Sequence, residues 1–364
     1  MGIALKVAFV AGLSDKKLKQ KLVPLALLPE INGVHLYRRR PLSGLEKITW
    51  QPLPVWATRS RWAGDMLRFL LMMARGRQYD LIIGCNQAFH GVMASLCGAF
   101  WKKPVIQIVT SGIEHICSQV LLKQTLLSAH AVAVRGPKSR EQLKSHGYKG
   151  LIEILHNPCE LPETHHGSCP GRYRYDMLAV GDYAPAKAYP WMMEVLGSVK
   201  KSFPALRVAI AGKGPFQQKL TPVLNRLKLG DSVSFLGWQD EDALGDLYRK
   251  SRLLLLTSQT EGLPMVVIEA MSHKKPVFVT DVGDLAWLVR NGQDGFVLPF
   301  GQTQEMASTL IKALSDTETL DRMGRSAHGR ILSLAAEFEP AHISSSWKTL
   351  IGHVLWHKAN KSSV

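Results

Sequence analysis

Acidic residues are in short supply in this 364-residue chain: 29 Asp+Glu face 45 Lys+Arg, a formal charge of +16. The shortfall is concentrated in residues 1–170, which hold 22 Lys+Arg against 10 Asp+Glu. A basic first half calls for an anionic partner, either a membrane surface, a phosphorylated acceptor or nucleic acid. No zinc-finger, ribonucleoprotein or helix-turn-helix signature accompanies the charge, so nucleic acid is not expected. Cysteine is scarce too. Cys85, Cys97, Cys117, Cys159 and Cys169 are odd in number and form no CxxC pair, which fits a reducing cytoplasm. The first twelve residues have too short an apolar segment for a signal peptide and no A-x-A cleavage site. Lys6 stands where N-myristoylation would want Ser or Thr. Residues 81–101 lack Asp, Glu, Lys and Arg over a length that could span a bilayer. Asn86, Gln87, His90 and three glycines argue instead for a buried strand, a cleft-facing loop and a packed helix.

What is present is the pattern of an α/β protein. Apolar content of 46% and charged content of 20% are those of a globular chain, and the length suits two domains. Strand patterns at residues 6–10, 34–38, 48–53, 81–85, 105–109, 131–134 and 152–155 alternate with helical patterns at 16–27, 62–77, 116–127 and 137–146. Such alternation means a doubly wound parallel sheet. It restarts with strands at 176–180, 207–211, 233–236, 253–257, 277–280 and 296–298. The expected organisation is an N-terminal Rossmann-like domain over 1–160, a Pro/Gly/His-rich linker over 161–174, a second domain over 175–335, and a C-terminal helix and tail over 336–364 that returns to the first domain. Tandem domains of this kind leave an interdomain cleft, where ligands bind at strand C-terminal ends. The 62–77 helix carries Met66, Leu67, Phe69, Leu70, Leu71, Met72 and Met73 between flanking arginines. That composition suits either an interfacial helix on anionic lipid or a core-packed helix with a basic outer edge.

The stretch Glu261-Gly262-Leu263-Pro264-Met265-Val266-Val267-Ile268-Glu269 has the form of an acidic loop opening a helix. Pro264 suits the first helical turn, and the amides of Met265 and Val266 then lie free at the positive helix end, a site suited to phosphate. Glu269 lies more than a turn further in, placed for vicinal sugar hydroxyls, and Glu261 sits in the loop. Taken alone, the stretch is equally a plain strand-loop-helix unit with solvated acids.

Four further blocks stand around it in order: Val180-Gly181 with Lys187, Ala211-Gly212-Lys213-Gly214-Pro215, Phe235-Leu236-Gly237-Trp238, and residues 276–283. Together the five resemble the donor domain of the GT-B retaining glycosyltransferases of family 4, also called glycosyltransferase group 1, over about residues 176–300. The resemblance implies a metal-independent hexosyltransferase with no cofactor. It would move a sugar with retained configuration from a nucleotide sugar to a glycan or lipid-linked acceptor in cell-surface polysaccharide synthesis, on the cytoplasmic side and peripheral to the inner face of the membrane.

In that resemblance Lys187 binds the donor diphosphate and steadies the leaving group, so it is catalytic together with Glu261, which meets the transferred sugar. Glu269 holds the ribose. Gly181, Asp182, Gly212, Lys213, Trp238, Gly262, Leu263, Met265 and Val266 complete the donor set. Asp182 replaces the usual arginine, and Lys213 is a candidate substitute cation. Asp240-Glu241-Asp242 has the spelling of a metal-binding DxD, but at a helix start it reads as a cap and no metal site is expected. The first domain resembles the family less. Gly12 marks its first loop, Ser111 stands where a histidine is usual, and His90 and His115 are acceptor-side candidates. These departures keep open a catalytically degenerate glycan- or nucleotide-binding protein; a second alternative is a nucleotide-sugar epimerase of similar fold, which would need an acid/base set in the cleft.

Overall fold

The computed structural model describes residues 4–86, 89–159 and 173–361. Most of the expected linker and Cys169 lie outside the described residues. The chain divides into two compact units, Met1–Cys159 with Glu337–Val364, and Glu160–Ala336.

In the first unit the strands are β1 (Leu5–Val10), β2 (Ile31–Tyr37), β3 (Ile48–Trp50), β4 (Leu81–Asn86), β5 (Val105–Val109), β6 (Ala131–Val134) and β7 (Leu151–Ile154). They form one parallel sheet in the order β3-β2-β1-β4-β5-β6-β7. The strand interiors are near-continuous runs of Val, Ile, Leu and Ala because both faces are covered by helices. Gln107, fully buried in β5, donates its amide nitrogen to the Gly91 carbonyl (2.8 Å) and Ser95 Oγ (3.0 Å), while its Oε1 has no hydrogen-bond partner among the described residues. Those bonds tie the Phe89–Trp101 helix to the sheet, so the charge-free run of residues 81–101 is a strand and a packed helix. No helix among the described residues is long and apolar enough to cross a membrane.

The C-terminal helix, Pro340–Lys361, belongs to this core. Ile343, Trp347, Leu350, Ile351 and Val354 are buried with Leu18, Leu22 and Leu25 of the Asp15–Ala26 helix and with Phe9 of β1. Ser344 Oγ donates to the Pro24 carbonyl (3.0 Å), and His156 meets Glu337 at 3.0 Å where the chain re-enters the unit.

The second unit contains β8 (Tyr175–Val180), β9 (Val208–Ala211), β10 (Val233–Gly237), β11 (Ser251–Leu256), β12 (Val277–Thr280) and β13 (Gly295–Leu298), in the parallel order β10-β9-β8-β11-β12-β13. Its core joins Met177, Ile210, Leu253 and Phe278 of the sheet to Met192, Leu196 and Val199 of the Tyr189–Ser202 helix.

Several expected elements differ in extent: the strand expected over 34–38 spans Ile31–Tyr37, that expected over 253–257 spans Ser251–Leu256, and three others are more informative. The 116–127 helix is two helices, Ile113–Cys117 and Val120–Leu127, because Ser118 Oγ donates back to the His115 carbonyl (2.9 Å) and ends the first. The 48–53 strand stops at Trp50, where Pro52 and Pro54 supply no amide to a ladder. The helix expected over 62–77, which spans Arg61–Arg75, turns its apolar residues in two directions: Met72 is buried, whereas Trp62, Met66 and Leu70 face solvent and Arg68 is enclosed.

Two outcomes follow. Trp347→Ala removes a large side chain from a closed core and should cost about 3–5 kcal/mol in urea unfolding followed by circular dichroism; a loss below about 1 kcal/mol would contradict the packing of this helix. Burial pushes the Lys275 ammonium down to about 8, opposed by Asp321. The folded chain therefore releases that proton before the unfolded chain does, and stability rises with pH above about 8 towards the free lysine range. The Tm difference between wild type and Lys275→Met should shift in that direction across this window, and a pH-independent difference would refute it.

Candidate functional site

In the second sheet the winding reverses between β8 and β11. The loops leaving their C-terminal ends diverge there and open a crevice. One wall comprises residues 181–188, including a short turn at Pro185–Lys187, before the Tyr189–Ser202 helix. The other comprises residues 257–264, leading into the Met265–Ser272 helix.

Three polar contacts join the walls. The Gln259 amide donates to the Ala186 carbonyl (2.7 Å), and Thr257 Oγ1 donates to the Lys187 carbonyl (3.1 Å). Lys187 Nζ then meets Glu261 Oε1 at 2.5 Å, and Ser258 Oγ donates to the same oxygen at 2.7 Å. Both charged side chains are mostly enclosed, 20% and 15% exposed, so the pair is screened less than a surface pair. Ser258 is itself fixed, since Thr280 Oγ1 at the end of β12 donates to its carbonyl (2.6 Å).

Two glycines permit this geometry. Gly283 has φ +56°, and a Cβ there would lie 2.2 Å from the Gly262 carbonyl oxygen and 2.4 Å from that of Glu261. A Cβ on Gly212 would lie 1.9 Å from the Gly181 oxygen, so the loop after β9 can approach the crevice only without a side chain. The Gly181 carbonyl accepts from the Tyr189 hydroxyl (2.9 Å). Burial, and then the nearby Tyr183, Asp182 and Glu261, raise the pKa of Tyr189 and keep it a donor.

The helix that follows begins one residue later than expected. Pro264 is its cap residue and Met265 its first helical position. Its N-terminal amides lack partners within the helix, which leaves a positive helix end on the crevice wall. Leu263 is buried beneath it. Glu269 lies in the second turn, half-buried, and its Oε2 accepts from the hydroxyl of the buried Tyr248 (3.0 Å). His273 packs on Tyr248 with ring centroids 5.1 Å apart. Its Nδ1 lies 2.8 Å from the Glu269 carbonyl, which can only accept, so Nδ1 carries the hydrogen. Burial pushes the His273 pKa down and favours that neutral ring.

The remaining donor-set residues divide. Lys213 Nζ lies over the exposed Trp238 ring, 5.4 Å from its centroid. Asp182 is exposed, directly after Gly181. Asp240 accepts from the Ala243 amide (2.9 Å), a helix cap as its spacing suggests. Among the described residues no group of three or more His, Cys, Asp or Glu is gathered for a metal.

In the first unit the winding reverses between β1 and β4. Gly12, after β1, and His90, after β4, are brought together there: a Cβ on Gly12 would lie 2.5 Å from His90 Cε1. Ser111 follows β5, half-buried, and His115 is exposed on the Ile113–Cys117 helix.

Sequence reasoning missed Tyr248, His273, Ser258 and Tyr189. Ser258 was within reach, three residues before Glu261 in the same loop. Tyr248 is 21 residues before Glu269 on another helix, and no local pattern announces it.

Comparison with known proteins bears on the fold and on the second unit. HepE of Anabaena, solved in complex with UDP-glucose, superposes over 96% of this chain and 100% of its own with a TM-score of 0.73 at 18% identity. Sucrose-phosphate synthase of Thermosynechococcus elongatus gives a TM-score of 0.75 at 16% identity over 97% of this chain and 100% of its own. The fold class is accordingly α/β of the GT-B kind, built from two Rossmann-like doubly wound parallel-sheet units. Among curated proteins, D-inositol 3-phosphate glycosyltransferase of Nocardia farcinica is 31% identical over 184 residues, 49% of this chain. Alpha-D-kanosaminyltransferase of Streptomyces kanamyceticus is 28% identical over 151 residues, 42% of this chain. The matches span only 40% and 39% of those two relatives' lengths. Residues 173–330, nearly all of the second unit and every donor-set residue in it, match the family model described as "Glycosyl transferases group 1".

Proposed function

We propose that this chain is a hexosyltransferase of glycosyltransferase family 4. It takes a sugar from a nucleoside-diphosphate donor and passes it, with retained configuration and without a metal, to a glycan or lipid-linked acceptor of cell-surface polysaccharide synthesis. The observation that carries the reading is the enclosed Lys187–Glu261 pair at the strand reversal, on the loop that leads into the helix carrying Glu269. The family match over residues 173–330 and the UDP-glucose complex of HepE support a nucleotide sugar as its occupant.

Each group has a physical task in this reading. Glu269, with Oε2 fixed by Tyr248, presents its other oxygen to the ribose hydroxyls. The amides of Met265 and Val266 meet the phosphates, with Gly262 and Leu263 lining the approach. The Lys187 ammonium has three donors, so it can keep Glu261 and still reach a phosphate oxygen. As the glycosidic bond breaks, negative charge grows on the departing phosphate, and a fixed cation stabilises that state more than the ground state. Glu261, oriented by Ser258 and Lys187, accepts from hydroxyls of the transferred sugar. Trp238 borders the base, with Lys213 over its ring. Asp182, exposed, binds a hydroxyl or points to solvent and leaves the diphosphate to Lys187. On the acceptor side, Gly12 and His90 stand at the reversal of the first sheet, and Ser111 and His115 occupy the neighbouring loop and helix. The protein would work at the cytoplasmic face of the cell membrane.

The test is calorimetric binding of UDP, GDP and ADP, followed by turnover of the matching sugar nucleotides. Glu269→Gln should weaken the preferred nucleotide about 10–100-fold, since it removes a charge-assisted hydrogen bond pair. Tyr248→Phe should weaken it a few-fold by releasing the same carboxylate. Lys187→Ala should lower kcat/KM by about 100–1,000-fold with a smaller loss of nucleotide affinity. Unchanged turnover in both Glu269→Gln and Lys187→Ala would end the assignment. Nucleotide binding with no turnover of any sugar nucleotide would identify a binding protein that has lost catalysis.

A further inference from the structure

The Arg61–Arg75 helix of the first unit packs Phe69, Leu71, Met72 and Met73 against the core and leaves a second apolar row outside. Trp62, Met66 and Leu70 are 81%, 51% and 53% exposed. Their spacing of four residues lines them along one face, about 12 Å in length. The opposite face is where the helix meets the protein. Met72 is buried there, the Met73 carbonyl accepts from Trp101 Nε1 (2.8 Å), and a Cβ on Gly64 would lie 2.9 Å from the Ala57 carbonyl. Arg68, 1% exposed, is turned inward and paired with Asp65. A helix that encloses an arginine while leaving a tryptophan, a methionine and a leucine in water has an apolar stripe awaiting a partner. The short Val55–Thr58 helix before it extends the stripe with exposed Val55 and Trp56.

The charge around this stripe selects the partner. Residues 55–77 contain five arginines and one acid, and that acid is the Asp65 already paired with Arg68. Arg59 and Arg77 are exposed, Arg75 reaches back from the end of the helix to Gln51 and Tyr37, and Arg39 and Arg40 lie on a preceding loop, with Arg39 close enough to influence Arg68. The same bias runs through the unit: its two segments hold 25 Lys+Arg against 10 Asp+Glu, whereas the second unit holds 20 against 19. Of the chain's +16, +15 therefore lies on the unit that carries the stripe. A protein partner would need an apolar groove and an unusually acidic rim. An anionic bilayer supplies both features, a negative surface over an apolar interior. Tryptophan also suits the headgroup boundary, with its ring body in the apolar layer and its N–H in the polar one.

We propose that residues 55–77 form a docking surface for an anionic lipid bilayer, with Trp56, Trp62, Met66 and Leu70 entering the acyl boundary and the surrounding arginines meeting lipid phosphates. The first unit then lies on the membrane without crossing it. This inference stands on the first unit alone and does not depend on the sugar-transfer reading of the second.

The experiment is flotation of the full chain with vesicles of phosphatidylcholine alone and of phosphatidylcholine with about 30% phosphatidylglycerol, at about 0.15 M salt. Wild type should float with the anionic vesicles and not with the neutral ones. The triple variant Trp62→Ser, Met66→Ser, Leu70→Ser should lose roughly tenfold or more in partitioning, with an unchanged melting curve because all three side chains are exposed. Should that variant fold poorly, lipids brominated along the acyl chain should quench the tryptophan emission of wild type in anionic vesicles only. No flotation of wild type, no quenching, or a folded triple variant that floats as well as wild type would overturn the proposal. Concentration-dependent self-association that the triple variant abolishes, without flotation, would assign the face to a second copy of the chain instead.

Discussion

The Lys187–Glu261 ion pair is the contact on which the second unit's crevice depends. It joins the loops that leave β8 and β11, together with the Gln259–Ala186 and Thr257–Lys187 bonds. An enclosed pair of this kind needs further polar partners, and here Ser258 donates to the Glu261 carboxylate, while Thr257 and Thr280 hold the backbone of Lys187 and Ser258. The close backbone approaches at Gly212 and Gly283 follow from the same constraint, because a loop held this near to its neighbour has no room for Cβ. The result is a wall on which a cation and a carboxylate are held by the protein's own contacts beside a helix end.

A second carboxylate is fixed by different means. Glu269 receives a hydroxyl donor from Tyr248, whose ring is held by His273, which in turn donates to the Glu269 carbonyl. This loop of three residues spans two helices on either side of β11 and gives Glu269 one orientation. Around neutral pH burial keeps His273 uncharged, so no positive charge competes for the carboxylate.

Much of this was legible in the sequence, and the residues show why. Short uncharged runs bounded by turn residues and rich in β-branched side chains, such as 131–134 and 277–280, read as strands covered on both faces, and both have the expected bounds. The Glu261-to-Glu269 stretch carries its own local grammar of strand end, glycine, proline and helix. The contacts between its acids and residues distant in the chain do not. Lys187 and Glu261 are 74 positions apart, and their direct contact is set by the strand reversal, which no local spacing encodes. The Arg61–Arg75 helix is the instructive case. Its composition favoured a core helix over an interfacial one without deciding between them, because one dense apolar run does not say which residues face inward. Packing against Trp101 and Ala57 settled the rotation and left Trp62, Met66 and Leu70 outside.

The two units thus divide the chemistry by charge: a nearly neutral unit with a built crevice, and a strongly basic one with an exposed apolar stripe. The most direct check of the central claim, that the crevice at β8 and β11 takes the nucleotide, is amide hydrogen exchange with and without the tightest-binding of UDP, GDP and ADP. Protection concentrated in residues 181–189 and 257–269 would bear the account out. Protection elsewhere in the chain, with these two loops unchanged, would contradict it.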